Sequence, residues 1–359
     1  ESNVVESDEL IRSVCVNIQE KAALIWSVAD TLRGPYKPHE YGLVILPMTV
    51  IKRFHDCLLP THDAVLAVAE KYKNFAVKDG FLREASGYPF YNTSKFTFET
   101  LKADPENIEE NFKDYLNGFS ENVQDILARM KFLDQVERLS DPDAPLLYQV
   151  VKDFCSPKAD MSPDKIKAVD MGYIFENLIQ RFSESYDEDA GAHFTSRDIV
   201  YLMTDLLIAA DPHVFDGEHI VKTVYDQTMG TSQMLGCTEA SALIRGEDDQ
   251  NMQFGDTLSA DKFSGFRFDY CISNPPFGDP WNPQAQAVEK EHKSAGGGRF
   301  PVKKLPAKGD GQMLFTLNGL SKLKDGGVMA IVQDASPLYK GKPESGEDCV
   351  RRYILENDW

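Results

Sequence analysis

The tetrapeptide Asn274-Pro275-Pro276-Phe277, here called the clamp, is the feature that most limits what this chain can fold into. It follows the apolar run 268–273, which predicts a buried strand. Two prolines cannot continue a strand's hydrogen-bond ladder, so the strand must end where the clamp begins. The prolines also hold the backbone extended, and their carbonyl groups are not required to accept hydrogen bonds from neighbouring backbone amides.

The clamp residues suit the capture of a flat amine. Asn274 Oδ1 and the Pro275 carbonyl can both accept hydrogen bonds from one NH2 group, while the Phe277 ring stacks on the plane that carries this group. An exocyclic amine on a flat heterocycle, such as adenine N6, fits this arrangement. The alternative is a strand followed by an ordinary proline turn.

Composition predicts a cytoplasmic globular protein of two domains. The 359 residues are 42% hydrophobic and 26% charged, and no run approaches the roughly 20 apolar residues of a membrane helix. The N-terminus has no signal-peptide pattern. The six cysteines lie far apart with no Cys-x-x-Cys pair, which favours reduced thiols over disulfides or a zinc site. The seven histidines show no metal-ligand spacing, so no metal is predicted.

The net charge of −19 argues against a protein that binds nucleic acid over its whole surface. One glycine-containing stretch, 288–310, is basic instead. Such a stretch is often only a solvated loop, but directly after the clamp it also predicts contacts with DNA phosphates. A DNA-binding partner subunit would offset the acidic charge of the rest. The predicted DNA-binding residues are Lys290, Lys293, Arg299, Lys303, Lys304 and Lys308.

Residues 1–165 are predicted to form a helical N-terminal domain. Apolar residues recur at helical spacing in three segments, and Gly34-Pro35 closes the first of them. The Ser-Pro pairs at 156–157 and 162–163 mark a boundary near residue 165. The three predicted helices cover 25–33, 44–54 and 123–133.

Residues 166–359 are predicted to form an α/β domain. Short apolar strands alternating with helices indicate a doubly wound parallel sheet covered on both faces. Ligands of such sheets bind beyond the carboxyl ends of the strands, where Asp226, Asp256 and Asn274 are expected. The predicted strands are 220–225, 268–273 and 327–332, and the predicted helices are 171–182, 199–210 and 312–323.

Six sequence elements, the clamp among them, follow one another along the chain. They are 24–34, 191–197, 226–235, 255–258, 274–277 and 310–315. In these elements and in their order, the chain resembles the modification (methylase) subunit of type I restriction–modification systems, which belongs to the N6-adenine DNA methyltransferases. The resemblance covers nearly the whole chain.

The resemblance implies a helical N-terminal domain followed by a doubly wound, Rossmann-like methyltransferase domain that uses S-adenosylmethionine. It implies methyl transfer to adenine N6 in double-stranded DNA, with the target adenine flipped out of the helix. It also implies two partners, a specificity subunit that reads the bases and a restriction subunit. The family's C-terminal helices are expected to be missing after Trp359.

The resemblance assigns the cofactor-binding roles. One segment would pack over the methionine end of the cofactor, a loop after a strand would bind it, and one carboxylate would meet the cofactor's adenine amine. For the two acidic residues the structural alternatives are a helix cap and a turn. The segment over the methionine end is His193, Phe194 and Thr195, and the cofactor-binding loop contributes Asp226, Gly230, Thr231 and Ser232. The carboxylate near the adenine amine is that of Asp256.

The chain departs from the family in two places. Its cofactor loop reads Asp-Gln-Thr-Met-Gly-Thr-Ser-Gln over 226–233, where the family has roughly Asp-Pro-x-x-Gly-Ser/Thr-Gly-Gly. Fewer glycines leave fewer positions for a close backbone approach to a ligand. The interval from Asp226 to Asn274 is also too short for the helix, strand, helix and strand expected there. We therefore expect a segment missing between Cys237 and Leu243.

Two other functions remain open on the sequence. Asn-Pro-Pro-aromatic clamps also serve other flat amines, which allows an RNA or protein amino-methyltransferase. The altered cofactor loop allows a non-catalytic scaffold that has kept the methyltransferase fold.

Overall fold

The computed structural model describes most of the chain, in two compact units. Within the described residues, the N-terminal unit contains 27–178 and 251–252, and the C-terminal unit contains 195–229 and 253–359. The described residues are 27–75, 77–167, 170–172, 174, 175, 177, 178, 195, 197–211, 214, 222–229, 251–253 and 255–359.

The N-terminal unit is helical in the residues described, as predicted. Residues 27–32 are helical and end before Gly34, whose φ of 111° is open to glycine. The next helix, α1, is buried on nearly all sides, and its apolar residues lie at the centre of the core. The labelled helices are α1 Gly42–Leu58, α2 His62–Lys71, α3 Asp79–Ser86, α4 Phe98–Ala103, α5 Ile108–Asn117, α6 Glu121–Arg129, α7 Phe132–Leu139 and α8 Leu147–Phe154.

The single helix predicted over 123–133 is wrong. The chain forms α6 and α7 instead, because Lys131 between them has left-handed backbone with φ 52°. This break rotates the apolar face, so Phe132 is buried while Leu133 is 47% exposed.

The C-terminal unit is α/β, as predicted, and its described residues form three parallel strands in the order β1-β2-β3. Cys271 in the central strand pairs with Tyr225 on one side and Met329 on the other. Helix α11 contributes Leu314 and Leu317 to the core. The elements are α9 Arg197–Ala210, β1 Val224–Tyr225, β2 Phe268–Ser273, α10 Ala285–His292, α11 Gln312–Ser321, β3 Leu323–Ile331, α12 Ser336–Tyr339 and α13 Gly346–Glu356.

The strands differ in detail from the prediction. Strand β1 begins at Val224, and residues 222 and 223 before it are not in a strand. Strand β3 begins at Leu323, so α11 stops at Ser321 instead of continuing to 323. Residues 328–331 of β3 are half-buried, so the full cover expected on both faces is wrong for this strand. In the part of the sheet that the structure describes, β3 is an edge strand.

No described helix is long and apolar enough to span a membrane. The four described cysteines, at positions 57, 155, 271 and 349, are free thiols. Burial raises the pKa of the Cys271 thiol, at the centre of the sheet, to about 12, so this residue serves packing and not chemistry.

Candidate active site

The clamp begins at the carboxyl end of β2, as predicted. Ser273 is the last residue of the strand, and its carbonyl accepts a hydrogen bond from the Val332 amide at 2.9 Å. The prolines then carry the chain away from the sheet, and Gly278 turns it with a φ of 76°. The clamp therefore lies at the edge where a doubly wound sheet binds its ligands.

The Asn274 amide has one satisfied end and one free end. Its Nδ2 donates to Thr195 Oγ1 at 2.9 Å, while its Oδ1 is buried and has no partner among the described residues. A buried acceptor without a donor costs about 1–3 kcal/mol. The geometry thus fixes Asn274 as an acceptor for a donor that the described protein does not supply. Thr195, expected in cofactor binding, lies against the clamp.

Thr195 can be tested as the residue that orients this amide. Thr195→Val removes the oxygen that accepts from Asn274 Nδ2, so we expect the reaction that uses the clamp to slow about tenfold, in line with the loss of one neutral hydrogen bond. Thr195→Ser keeps the oxygen and should stay near the wild-type rate. Rate constants at saturating substrates are the measurement, and equal rates for Val and Ser would remove Thr195 from this role.

The aromatic end of the clamp is open. Phe277 is 37% exposed, which leaves ring surface for stacking. The turn after it is fixed by Asp310, whose Oδ1 accepts from the Gly278 amide at 3.3 Å and from the Gln312 amide at 3.1 Å. The Gly311 amide donates to the Asp279 carbonyl at 2.9 Å. The start of α11 therefore holds the clamp loop in place.

Asp226 directly follows β1, as predicted. Its Oδ1 accepts from the Thr228 amide at 2.9 Å, and Thr228 Oγ1 lies 2.9 Å from Ser273 Oγ, which ties this loop to the residue before the clamp. Burial among surrounding protein atoms raises the pKa of the Asp226 carboxyl to about 6, although the residue keeps access to solvent. The hydrogen bonds from Thr228 do not outweigh this effect of burial, so an accessible carboxylate here suits a cationic ligand.

Asp256 has a structural task in its own turn. Its Oδ1 accepts from the Leu258 and Ser259 amides at 3.0 and 2.8 Å, and its Oδ2 accepts from Gln284 Nε2 at 2.7 Å. Burial works to raise the pKa of Asp256, but these hydrogen bonds outweigh it and the pKa lies below its usual value. No strand precedes Asp256 within residues 251–253 and 255. A cofactor role for this residue stays a prediction.

The basic stretch is divided between surface and interior. Five lysines are exposed, whereas Arg299 is only 9% exposed and is hydrogen-bonded inside the unit. A buried guanidinium cannot reach a DNA phosphate, so the expected contact at Arg299 does not fit the structure. Lys308 pairs with Glu289 at 2.8 Å. The exposed lysines are Lys290, Lys293, Lys303, Lys304 and Lys308.

Several predicted site residues lie outside the described part of the chain. They are His193, Phe194, Gly230, Thr231, Ser232 and the interval Cys237–Leu243. Thr228 and Asp310 connect the clamp to its neighbours. Both lie in the elements 226–235 and 310–315, but no role was predicted for them. The signal for Asp310 was present, because an acidic residue just before an apolar helical run is typical of a helix start.

Comparisons with known proteins agree with this geometry. Residues 21–154 match the sequence model of the HsdM N-terminal domain. The chain is 22% identical to the type I restriction enzyme MjaIX methylase subunit of Methanocaldococcus jannaschii over 378 aligned positions. That alignment covers 93% of this chain and 64% of the relative, so the chain spans about two thirds of that protein's length.

A solved structure has the same fold. A crystal structure of the type I restriction-modification system methyltransferase subunit from Streptococcus thermophilus matches with a TM-score of 0.66. It is 20% identical, and the match covers 94% of this chain and 79% of that one. Two overlapping matches to the N-6 DNA methylase model, 167–254 and 237–359, together take in more than half of the sequence. With the clamp at the end of β2, they confirm the resemblance: the chain belongs to the N-6 DNA methylase family.

Proposed function

We propose that this chain is the modification subunit of a type I restriction–modification enzyme and transfers a methyl group from S-adenosylmethionine to adenine N6 in DNA. The observation that carries the proposal is the free, buried Asn274 Oδ1 at the end of β2, beside the exposed Phe277 ring. These two groups are an acceptor for an amine and a surface for the heterocycle that bears it.

The clamp acts by orientation and fixed dipoles. A flipped adenine stacks on Phe277 and donates its N6 hydrogens to Asn274 Oδ1 and the Pro275 carbonyl. Those bonds draw the nitrogen lone pair out of conjugation with the ring and aim it away from the clamp. S-adenosylmethionine, when bound, supplies an electrophilic methyl group, and the nitrogen loses a proton once it is methylated. No covalent enzyme intermediate is needed.

Asp226 fits the cofactor's charged end. An ionised carboxylate at a strand end can hold an ammonium group. Burial raises the pKa of Asp226 because it disfavours the negative charge, and a nearby cation would offset this effect. Thr228 couples this loop to Ser273 and so to the clamp. The proposed cofactor site also contains His193, Phe194, Thr195, Gly230, Thr231, Ser232 and Asp256.

The lysines and the net charge determine the proposed partners. Five exposed lysines follow the clamp in a chain whose net charge is −19. Such a chain binds DNA poorly alone and well when a basic specificity subunit joins it. The proposed complex also contains a restriction subunit and works in the cytoplasm. Nanomolar binding of duplex DNA by the isolated chain at physiological salt would contradict this arrangement.

Stacking on Phe277 can be measured through substitution. Phe277→Ala should weaken capture of the flipped base by about 1–3 kcal/mol, which raises KM for DNA. Phe277→Trp keeps a stacking surface and should remain active. Phe266→Ala is the matched control, because Phe266 is 62% exposed on the same unit and lies outside the clamp. Unchanged kinetics for Phe277→Ala would remove this ring from the base pocket.

The function itself can be tested in cells. Sequencing that reads methylated adenines, in cells with and without the gene, should show one set of DNA sites that loses methylation upon deletion. The wild-type gene should restore these sites and Asn274→Ala should not. An unchanged pattern of DNA methylation after deletion, with loss of a methyl group from ribosomal RNA or a protein, would favour the alternative amino-methyltransferase.

A further inference from the structure

Arg299 has all five of its N–H groups occupied inside the C-terminal unit. Nε donates to the Glu291 carboxylate at 3.0 and 3.1 Å, and Nη2 donates to the same carboxylate at 2.7 Å. The other three bonds go to the Thr257 carbonyl, the Leu258 carbonyl and Asn318 Oδ1, at 2.6, 2.9 and 2.9 Å. Since arginine has only five donors, none is left for a phosphate.

Two of these acceptors belong to the turn that carries Asp256. Leu258 donates its amide to Asp256 Oδ1 and accepts from Arg299 at its carbonyl, so Asp256 and the guanidinium both hold the backbone of this residue. Thr257 gives its carbonyl to Arg299, and its hydroxyl donates to the Gln227 carbonyl at 2.6 Å. The turn is thereby attached to the loop after β1.

The fifth donor reaches the Asp226 loop through one side chain. Asn318 is fully buried on α11, and its Nδ2 donates to Gln227 Oε1 at 2.7 Å. Because arginine can only donate, Arg299 forces the Asn318 oxygen toward itself and the NH2 group toward Gln227. Gln227, which is 5% exposed, stands next to Asp226 and keeps its own Nε2 without a partner among the described residues.

We propose that Arg299 is a positioning residue that holds the Asp226 loop and the Asp256 turn in register through Thr257, Leu258 and the Asn318–Gln227 pair. The inference rests on the proposed function for its consequence, which is a preorganised S-adenosylmethionine site. Gln227, which stands where the family has proline, then acts as an anchor, and its presence is no sign of a decayed loop. Fixing both segments before binding lowers the ordering cost that the cofactor must meet.

The Arg299→Lys variant of the full chain separates geometry from charge. Lysine keeps the charge, but its single ammonium cannot serve acceptors in four residues. The calorimetric Kd for S-adenosylmethionine should rise about 10- to 100-fold, the range for losing a charged hydrogen bond. The salt dependence of DNA binding by the complex should stay unchanged. Lys304→Gln, on the exposed surface, should leave the Kd for S-adenosylmethionine unchanged and should change the salt dependence of DNA binding.

The Asn318 variants test the link directly and remain informative if Arg299→Lys does not fold. Asn318→Leu removes one of the acceptors of Arg299 and the donor to Gln227 Oε1, and it should speed hydrogen exchange of the Thr228, Leu258 and Ser259 amides about tenfold or more. Asn318→Asp should preserve slow exchange, because Gln227 can turn its free Nε2 toward the new carboxylate. Equal exchange in wild type and Asn318→Leu would overturn the proposal. Absence of S-adenosylmethionine binding by the wild type, with the exchange difference present, would instead refute the proposed function alone.

Discussion

Asn274→Ala is expected to lower the rate of adenine methylation about 100- to 1000-fold, the range for removing one preorganised polar group from a transition state. The expected cause is loss of the free Oδ1, which accepts from N6 in the proposed mechanism. The Kd for S-adenosylmethionine should change less than about threefold, since Asp226 and its loop are untouched. Single-turnover rates with saturating cofactor and DNA are the measurement.

Two further variants at asparagine positions sharpen this result. Asn274→Asp keeps acceptor oxygens and should fall between wild type and alanine, while its charge and the loss of Nδ2 prevent full activity. Asn282→Ala, an exposed asparagine in the loop after the clamp, should behave as wild type. A rate above about a tenth of wild type for Asn274→Ala would contradict the role given to this residue, because one group in this position should supply at least that factor.

The second large effect that we expect is a pH dependence of cofactor binding that follows the ionisation of Asp226. With a pKa of about 6, the carboxylate is ionised at pH 8 and largely protonated at pH 5, so affinity for the cofactor's ammonium should fall steeply below pH 6. Asp226→Asn should bind about 10- to 100-fold more weakly at pH 8 and lose this pH dependence. Calorimetry from pH 5 to 8 measures both, with the exposed Asp325→Asn as control.

The free energy of unfolding should fall as pH rises, whereas the affinity for the cofactor should increase. Because the pKa of Asp226 is higher in the folded protein than its ordinary value of 3.8, the folded state binds the proton more tightly, and stability is lost as pH rises through about 6. Asp226→Asn should therefore raise Tm at pH 7, with the gain disappearing below about pH 4. A variant that binds the cofactor less well yet melts higher is typical of a functional site. A lower Tm at pH 7 would show that Asp226 serves the fold.

The sequence predicted the parts of the fold that local pattern determines. Helix α1, helix α9 and the parallel pairing of the strands followed from apolar runs and their spacing. The break at Lys131 did not, because the apolar positions continue through it, and only the exposed Leu133 reveals the change of face. The length of β1 likewise depends on pairing with β2 and not on its own residues.

The positions of the clamp and of Asp226 at strand ends were predicted, and the contacts around them were not. The clamp and Asp226 fall at strand ends because prolines and polar residues after apolar runs mark those ends. Arg299 was misassigned because charge density in sequence does not show which cation is enclosed, and its partners come from Thr257, Leu258, Glu291 and Asn318. The hydrogen bonds between Thr228 and Ser273 and between Asn274 and Thr195 join residues far apart in the chain, so no local sequence pattern predicts them.

The central claim is that this chain places the methyl group on adenine N6 of DNA. The direct measurement incubates the purified chain and its specificity subunit with duplex DNA and isotopically labelled S-adenosylmethionine, then digests the DNA to nucleosides for mass spectrometry. The label should appear in N6-methyladenine, it should require the specificity subunit, and it should vanish with Asn274→Ala. Label in another nucleoside, or in RNA or protein offered in the same mixture while DNA adenine stays unmodified, would contradict the account.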